Sequence, residues 1–208
     1  MSSQFAADVS PERLHQLLTD GMALHRAGQH AEAERAYRNI LRVDPANADA
    51  LHLLGLIAQH AGLSEEAAKM IRRAIDLNPM APSYWANLAS VREQQGDYEE
   101  AERCAREALG IDPNHGTALH CLGNALRAGD RYEEAAQCYE QATASIADDA
   151  ALWANLGSTL LTLHRHDPAI EAFRRALALS PGQAEMHSNL GNALAAGDDL
   201  DGAIAAHE

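Results

Sequence analysis

A 34-residue period constrains this chain more than any other feature of it. In a frame that starts at Leu14, the twentieth position of every unit is alanine: Ala33, Ala67, Ala101, Ala135, Ala169 and Ala203. The eighth position is small throughout, as Gly21, Gly55, Ala89, Gly123, Gly157 and Gly191. The seventh is Leu54, Leu88, Leu122, Leu156 and Leu190, with Asp20 in the first unit. Position 27 runs Ile40, Ala74, Ala108, Ala142, Ala176, and position 32 is Pro45, Pro79, Pro113 and Pro181, with Ala147 as the departure. No insertion breaks the frame. A period of this length marks stacked supersecondary units that bury their apolar faces only against neighbours. The units are 14–47, 48–81, 82–115, 116–149, 150–183 and a partial 184–208, after a segment 1–13 that holds a helix start.

Each column has a physical role. Small residues at positions 8, 20 and 27 let two helices approach closely. Larger ones fill the remaining space: Leu17, Leu51, Trp85, Leu119 and Trp153 at position 4, and Tyr37, Ile71, Tyr139 and Phe173 at position 24. Proline at position 32 pushes the residue before it out of the α region and ends the second helix. Turn signals fall between the helices at Gly28, Gly62, Gly96-Asp97, Gly129-Asp130, Asp167-Pro168 and Gly197-Asp198. Ser10-Pro11-Glu12 and Ser64-Glu65-Glu66 read as helix starts. Aromatic residues are only 4% of the chain, so its core must come from Ala and Leu, which favour helix. No stretch alternates polar and apolar residues as a half-buried strand does.

Charge narrows the partners. A net charge of −14 lacks the basic stripe that nucleic acid requires and is repelled by an anionic membrane. Residues 1–10 show no basic segment followed by an apolar one, so the cytoplasm is the default location. Three cysteines, an odd number without a close pair, do not suggest a disulfide framework.

These columns resemble the tetratricopeptide repeat family. The segments Trp85-Ala86-Asn87-Leu88 and Gly96-Asp97-Tyr98-Glu99-Glu100-Ala101 lie close to its ideal, and the similarity runs from Leu14 to Glu208. The resemblance implies an all-α, right-handed superhelical solenoid of antiparallel helix pairs. First helices would line its concave face and second helices its convex face. It implies five full repeats and a truncated sixth, ending at position 25. Asp20 then either belongs to a terminal cap that faces water or makes an internal polar contact. The open last repeat either continues in a longer parent chain or meets a partner, self-association included.

The family binds polypeptides in the concave groove, at positions 2, 5, 6, 9, 12 and 13. Members that clamp a C-terminal carboxylate carry Lys or Arg at positions 2, 5 and 6. Here position 2 is His15, Asp49, Ser83, Thr117, Ala151, Glu185 and position 5 is Leu18, His52, Ala86, His120, Ala154, Ser188, so that clamp is absent. Position 6 holds Asn87, Asn155 and Asn189, and position 9 adds Asn124 and Asn192. The segment His187-Ser188-Asn189-Leu190-Gly191-Asn192 resembles the superhelix of protein O-GlcNAc transferases, where an asparagine ladder holds an extended backbone. An amide offers both donor and acceptor to a peptide unit. The candidate groove is therefore Asn87, His120, Asn124, Asn155, Asn189 and Asn192, its amides solvated when free, with a gap at Cys121. A local structural role for the asparagines is the alternative. Three rungs at ~1 kcal/mol each supply ~3 kcal/mol, less than the ~4 kcal/mol of a millimolar complex. Further contacts must add affinity.

No catalytic, cofactor or metal site is expected. Cys104, Cys121 and Cys138 are half a repeat apart, so they alternate between the two helices and do not converge. His164 and His166 share a turn with no third ligand at metal spacing. The eleven histidines lie scattered, without a nucleophile motif or a phosphate loop. Tyr98-Glu99-Glu100 and Tyr132-Glu133-Glu134 read as helix starts favoured by the macrodipole. The expected function is a scaffold that takes an extended or helical peptide. The rivals are a recruiting arm of a larger O-GlcNAc transferase-like glycosyltransferase and an oligomerisation module.

Overall fold

A computed structural model describes residues 10–197, 199 and 202–204. The expectations for the first residues, for Asp198 and for the last positions of the sixth repeat lie outside the described residues. Among the described residues the helices run in chain order as α1 (Pro11–Arg26), α2 (His30–Val43), α3 (Ala48–His60), α4 (Ser64–Leu77), α5 (Pro82–Gln94), α6 (Tyr98–Ile111), α7 (Gly116–Ala128), α8 (Tyr132–Thr143), α9 (Ala150–Thr162), α10 (His166–Leu179) and α11 (Ala184–Ala196), with residues 202–204 helical as well. No strand occurs among the described residues. The chain is an all-α solenoid of helix pairs.

Helices α3, α5, α7, α9 and α11 each have 13 residues and begin at the first position of a unit. The turn that follows needs a left-handed residue at position 15. Glycine fills it in the first three units, with φ of 75°, 76° and 76° at Gly28, Gly62 and Gly96. Asp130 and His164 adopt the same conformation at 59° and 57°, at the steric cost that a Cβ brings there. The start at Ser10 is as expected: its hydroxyl accepts from the Arg13 amide, and Pro11 opens α1. Asp97 caps α6 in the same way, through the Glu100 amide. Ser64 differs, because it is the first helical residue of α4 and Leu63 holds the cap position without a side-chain bond.

Proline at position 32 follows helices α2, α4, α6 and α10, whose cap residues have left the α region, with ψ between 82° and 98°. Helix α8 has no such proline and still ends early, at 12 residues. Proline is therefore not what stops it. Ser145 donates to the Asn114 carbonyl at 3.0 Å instead, tying the chain back to the preceding turn.

The core explains the columns. Ala33, Ala67, Ala101, Ala135 and Ala169 are all fully buried. In the first, second, fourth and fifth units the position-8 glycine lies under the position-24 side chain of the same unit. A Cβ on Gly21 would meet the Tyr37 ring at 2.6 Å, one on Gly55 the Ile71 side chain at 2.7 Å, and one on Gly157 the Phe173 ring at 2.9 Å. In the third unit the pair is inverted: Ala89 carries the Cβ, and Ala105 stands where the others have a large residue, both fully buried. The expectation for position 4 needs correction at the tryptophans. Leu51 and Leu119 are buried there, but Trp85 and Trp153 are half-buried. Each tryptophan donates its indole N–H to a position-32 carbonyl of the preceding unit, Pro79 at 2.9 Å and Ala147 at 2.8 Å. An indole needs a partner for its N–H, and the edge of the stack supplies one.

A paired prediction follows from these glycines. Gly123 has Tyr139 against it, so Gly123→Ala should cost about 1–3 kcal/mol through overpacking. Gly110 sits exposed within α6 with nothing within 4 Å of a Cβ. Gly110→Ala should instead stabilise by roughly 0.5–1 kcal/mol, because the unfolded chain loses freedom. Thermal unfolding of both variants checks the pair, and melting shifts of the same sign would contradict the assignment.

Candidate binding groove

First helices of successive units touch one another, α1 with α3, α3 with α5, α5 with α7, α7 with α9 and α9 with α11. Among the described residues second helices approach one another less closely, joined through long side chains such as Arg72 of α4, which bonds the Glu100 carboxylate of α6 at 2.6 Å. First helices therefore crowd on the inside of the curve, where the sequence places its candidate residues.

Side-chain bonds stitch that inner face along two repeated separations, 35 and 31 residues. Asn87 Nδ2 donates to His52 Nε2 at 2.8 Å, and Asn155 Nδ2 approaches His120 Nε2 at 3.2 Å in the same relation. A position-5 histidine thus pairs with the position-6 asparagine of the next unit. Across 31 residues, Asn155 Nδ2 donates to Asn124 Oδ1 at 3.0 Å and Asn124 Nδ2 donates to Glu93 at 2.8 Å. The Tyr139 hydroxyl also donates to Asn124 Oδ1, at 2.7 Å. Tyr84 lies against His52, ring centres 4.4 Å apart, and donates its hydroxyl to the Asp49 carboxylate.

The candidate residues therefore divide. Asn124 is buried, and both ends of its amide are engaged inside the protein. Asn87 and Asn155 are half-buried, with their N–H groups committed to the neighbouring unit. Their Oδ1 atoms bond nothing else among the described residues. The expectation of freely solvated amides is corrected at these three positions. Asn189 follows Ala154 rather than a histidine. It is half-buried and makes no hydrogen bond among the described residues, and Asn192 is exposed. Cys121 follows Ala86, and its buried thiol points at the Ala86 carbonyl. The gap in the asparagine column thus falls where the preceding unit lacks the histidine.

Burial governs the titrations here. It pushes His52 down to about 4 and lowers His120 as well, against the opposing pull of Asp49 and Asp149 respectively. Burial raises Glu93, which Asn124, Cys121 and Arg127 partly offset. The Cys104 and Cys121 thiols are pushed up by burial and stay protonated, so they lack the thiolate that redox or metal chemistry needs.

A polar cleft of about 380 Å³ opens beside these residues. It is lined by Glu93, Asn124, Arg127, Tyr98, Tyr132 and Ser158, among others. Arg127 keeps a buried Nε without a partner. Arg127 and Glu93 occupy position 12, one of the expected groove columns. Tyr98 and Tyr132 were legible only as helix starts. Their identity at position 17, two units running, was the available signal. Asp20 is exposed and accepts from Gln16 at 2.7 Å, as a cap residue does. The expected scatter of histidines is broken at one place, where His25, His30 and His60 meet. No helix among the described residues is long and apolar enough to cross a membrane.

Comparison with known proteins agrees with this architecture. PilF of Pseudomonas aeruginosa is similar over 94% of this chain and 89% of its own, at 18% identity and a TM-score of 0.82. MamA of Desulfovibrio magneticus RS-1 is similar over 76% of this chain and 90% of its own, at 23% identity and 0.65. YrrB, described as a TPR protein with an unusual peptide-binding site, covers 88% and 90% at 19% identity and 0.61. At such identities the likeness shows the fold alone. No curated protein matches the sequence. The model of the cilia and flagella-associated protein 70 C-terminal domain, a tetratricopeptide repeat model, matches residues 2–208. The chain therefore belongs to the tetratricopeptide repeat family described by that domain.

Proposed function

We propose that this protein is a scaffold whose inner face binds a segment of another polypeptide, extended or helical. One observation carries the reading. Among the described residues the inner helices leave acceptors unpaired, at Asn87 Oδ1 and Asn155 Oδ1, and a whole amide at Asn189, and a polar cleft opens at Asn124, the partner of Asn155. A peptide backbone offers the N–H groups those acceptors lack. The peptide-binding site named for YrrB, a protein of the same fold, supports the same reading.

Spacing is compatible with an extended ligand. Neighbouring first helices lie roughly 10 Å apart, the length of about three residues of strand. The contribution per rung remains ~1 kcal/mol, so the amides set register. The cleft around Arg127, Tyr98 and Tyr132 supplies the side-chain contacts that affinity needs.

The test is selection of ligands from a displayed random peptide library, followed by calorimetry with the best binder. Asn189→Ala should weaken binding by about 0.5–1.5 kcal/mol without changing the melting temperature, because that amide makes no hydrogen bond among the described residues. Arg127→Ala should weaken the same peptide. Unchanged affinity in both variants, with folds intact, would remove the inner face from consideration as the binding surface.

A further inference from the structure

Three histidines from three different helices meet at one edge of the stack. His25 stands in the last turn of α1, His30 opens α2 and His60 ends α3. The left-handed Gly28 reverses the chain and returns His30 to His25. The 35-residue separation that joins His52 to Asn87 brings His60 onto His25. Ring centres lie 5.2 Å apart for His25 and His30, 5.7 Å for His25 and His60, and 5.4 Å for His30 and His60. One ring nitrogen of each lies within 4.8 Å of the other two.

We propose that His25, His30 and His60 form a binding site for one first-row divalent transition ion, of which Zn2+ is the model, with a fourth position open to solvent.

The chemistry and the geometry both select that class. Imidazole nitrogen suits Zn, Cu, Fe and Ni, whereas Mg and Ca demand oxygen. An ion at 2.0–2.1 Å from three nitrogens in tetrahedral geometry holds those nitrogens roughly 3.3 Å apart and the ring centres roughly 5 Å apart. The three ring centres already form a triangle of that size. The remaining closure of the nitrogens asks only for small side-chain rotations. His30 and His60 are exposed and free to make them, and His25 is half-buried. The Tyr37 ring stands edge-on to His25, 6.5 Å between centres, and limits where that imidazole can turn. Burial, with the neighbouring His30 and His60, lowers the His25 pKa from its ordinary value.

A bound ion would fasten α1 and α2 to α3. Those helices share a small apolar cluster of their own, Ala33, Tyr37, Ile40, Ala50, Leu54 and Ile57, apart from the larger core of the later units. The ion therefore links the first repeat to the second at an otherwise lightly joined end, and stabilises the folded form by mass action.

The experiment uses the full chain with Co2+ as spectroscopic probe and Zn2+ by calorimetry. One equivalent of Co2+ should give the intense visible bands of a tetrahedral ion, without the near-ultraviolet band of a cobalt–thiolate bond. Zn2+ should displace it and raise the melting temperature. His30→Gln and His60→Gln alter exposed side chains and should leave the fold intact by circular dichroism. Each should lower Zn2+ affinity by more than the about 10–100-fold that loss of an outer-shell partner causes. His164→Gln and His166→Gln, at the other histidine pair, should leave it unchanged. The proposal is overturned by a cobalt spectrum like that of the free ion, by a thiolate band, or by Zn2+ affinity that survives both His30→Gln and His60→Gln.

Discussion

Asn124→Ala is expected to lower the unfolding free energy by roughly 1–3 kcal/mol, chiefly from one buried polar group left without a partner. The Tyr139 hydroxyl, on a fully buried side chain, would lose its acceptor at 2.7 Å. Glu93, already raised by burial, would lose its donor at 2.8 Å. The Asn155 amide would keep only His120. Asn192→Ala is the control: the same residue type at the same repeat position, exposed, with an expected change within about 0.5 kcal/mol. Urea unfolding followed by circular dichroism measures both. Equal midpoints would show that Asn124 is not the joint of the fourth and fifth repeats.

Acidification should produce the second large effect, through His52. In the folded protein this imidazole is neutral, since its Nε2 accepts from Asn87 and burial holds its pKa at about 4. In the unfolded chain its value is near 6.5. Between those two values the unfolded state binds a proton that the folded state does not, so stability rises with pH across that window and is lost as pH falls. At about 1.4 kcal/mol per unit the loss from pH 6.5 to 4 is on the order of 3 kcal/mol. Burial lowers the His120 pKa as well, which adds in the same direction. The net charge of −14 works against this trend, because protonating carboxylates relieves repulsion. The informative quantity is therefore the difference between the wild type and His52→Gln, which retains an acceptor for Asn87 and does not titrate. The two should converge in stability as pH drops from 7 to 4. Parallel curves would remove His52 from the pH response.

The architecture was legible because small residues must recur wherever helices meet. Ala101 and Ala135 could be placed at a close approach from their column alone. The face that first helices present was legible for the same reason. What escaped was the pairing along that face. His52 and His120 stood in one column and Asn87 and Asn155 in the next, yet their 35-residue relation has meaning only once the tilt of one helix against its neighbour is known. At the same separation Ala86 is followed by Cys121, and Ala154 by Asn189, which makes no hydrogen bond among the described residues. In the third unit Ala89 and Ala105, both fully buried, replace the glycine and the large side chain that the other units pair, and only their shared burial showed the two exchanges to belong together.

The period by itself determined that this chain is a solenoid of helix pairs, because 34 residues with small positions at 8, 20 and 27 admit close helix packing and nothing else that buries the Leu and Ala content. Tertiary structure alone decided which polar side chains are spent inside the array and which remain open. A hydrogen bond depends on tenths of an ångström and on the rotation between successive units, and neither is written in the residue at a single column. The same rotation sets His60 beside His25 and leaves His164 and His166 as a pair. Identical residue types thus acquire different chemistry from the stacking of one repeat on the next.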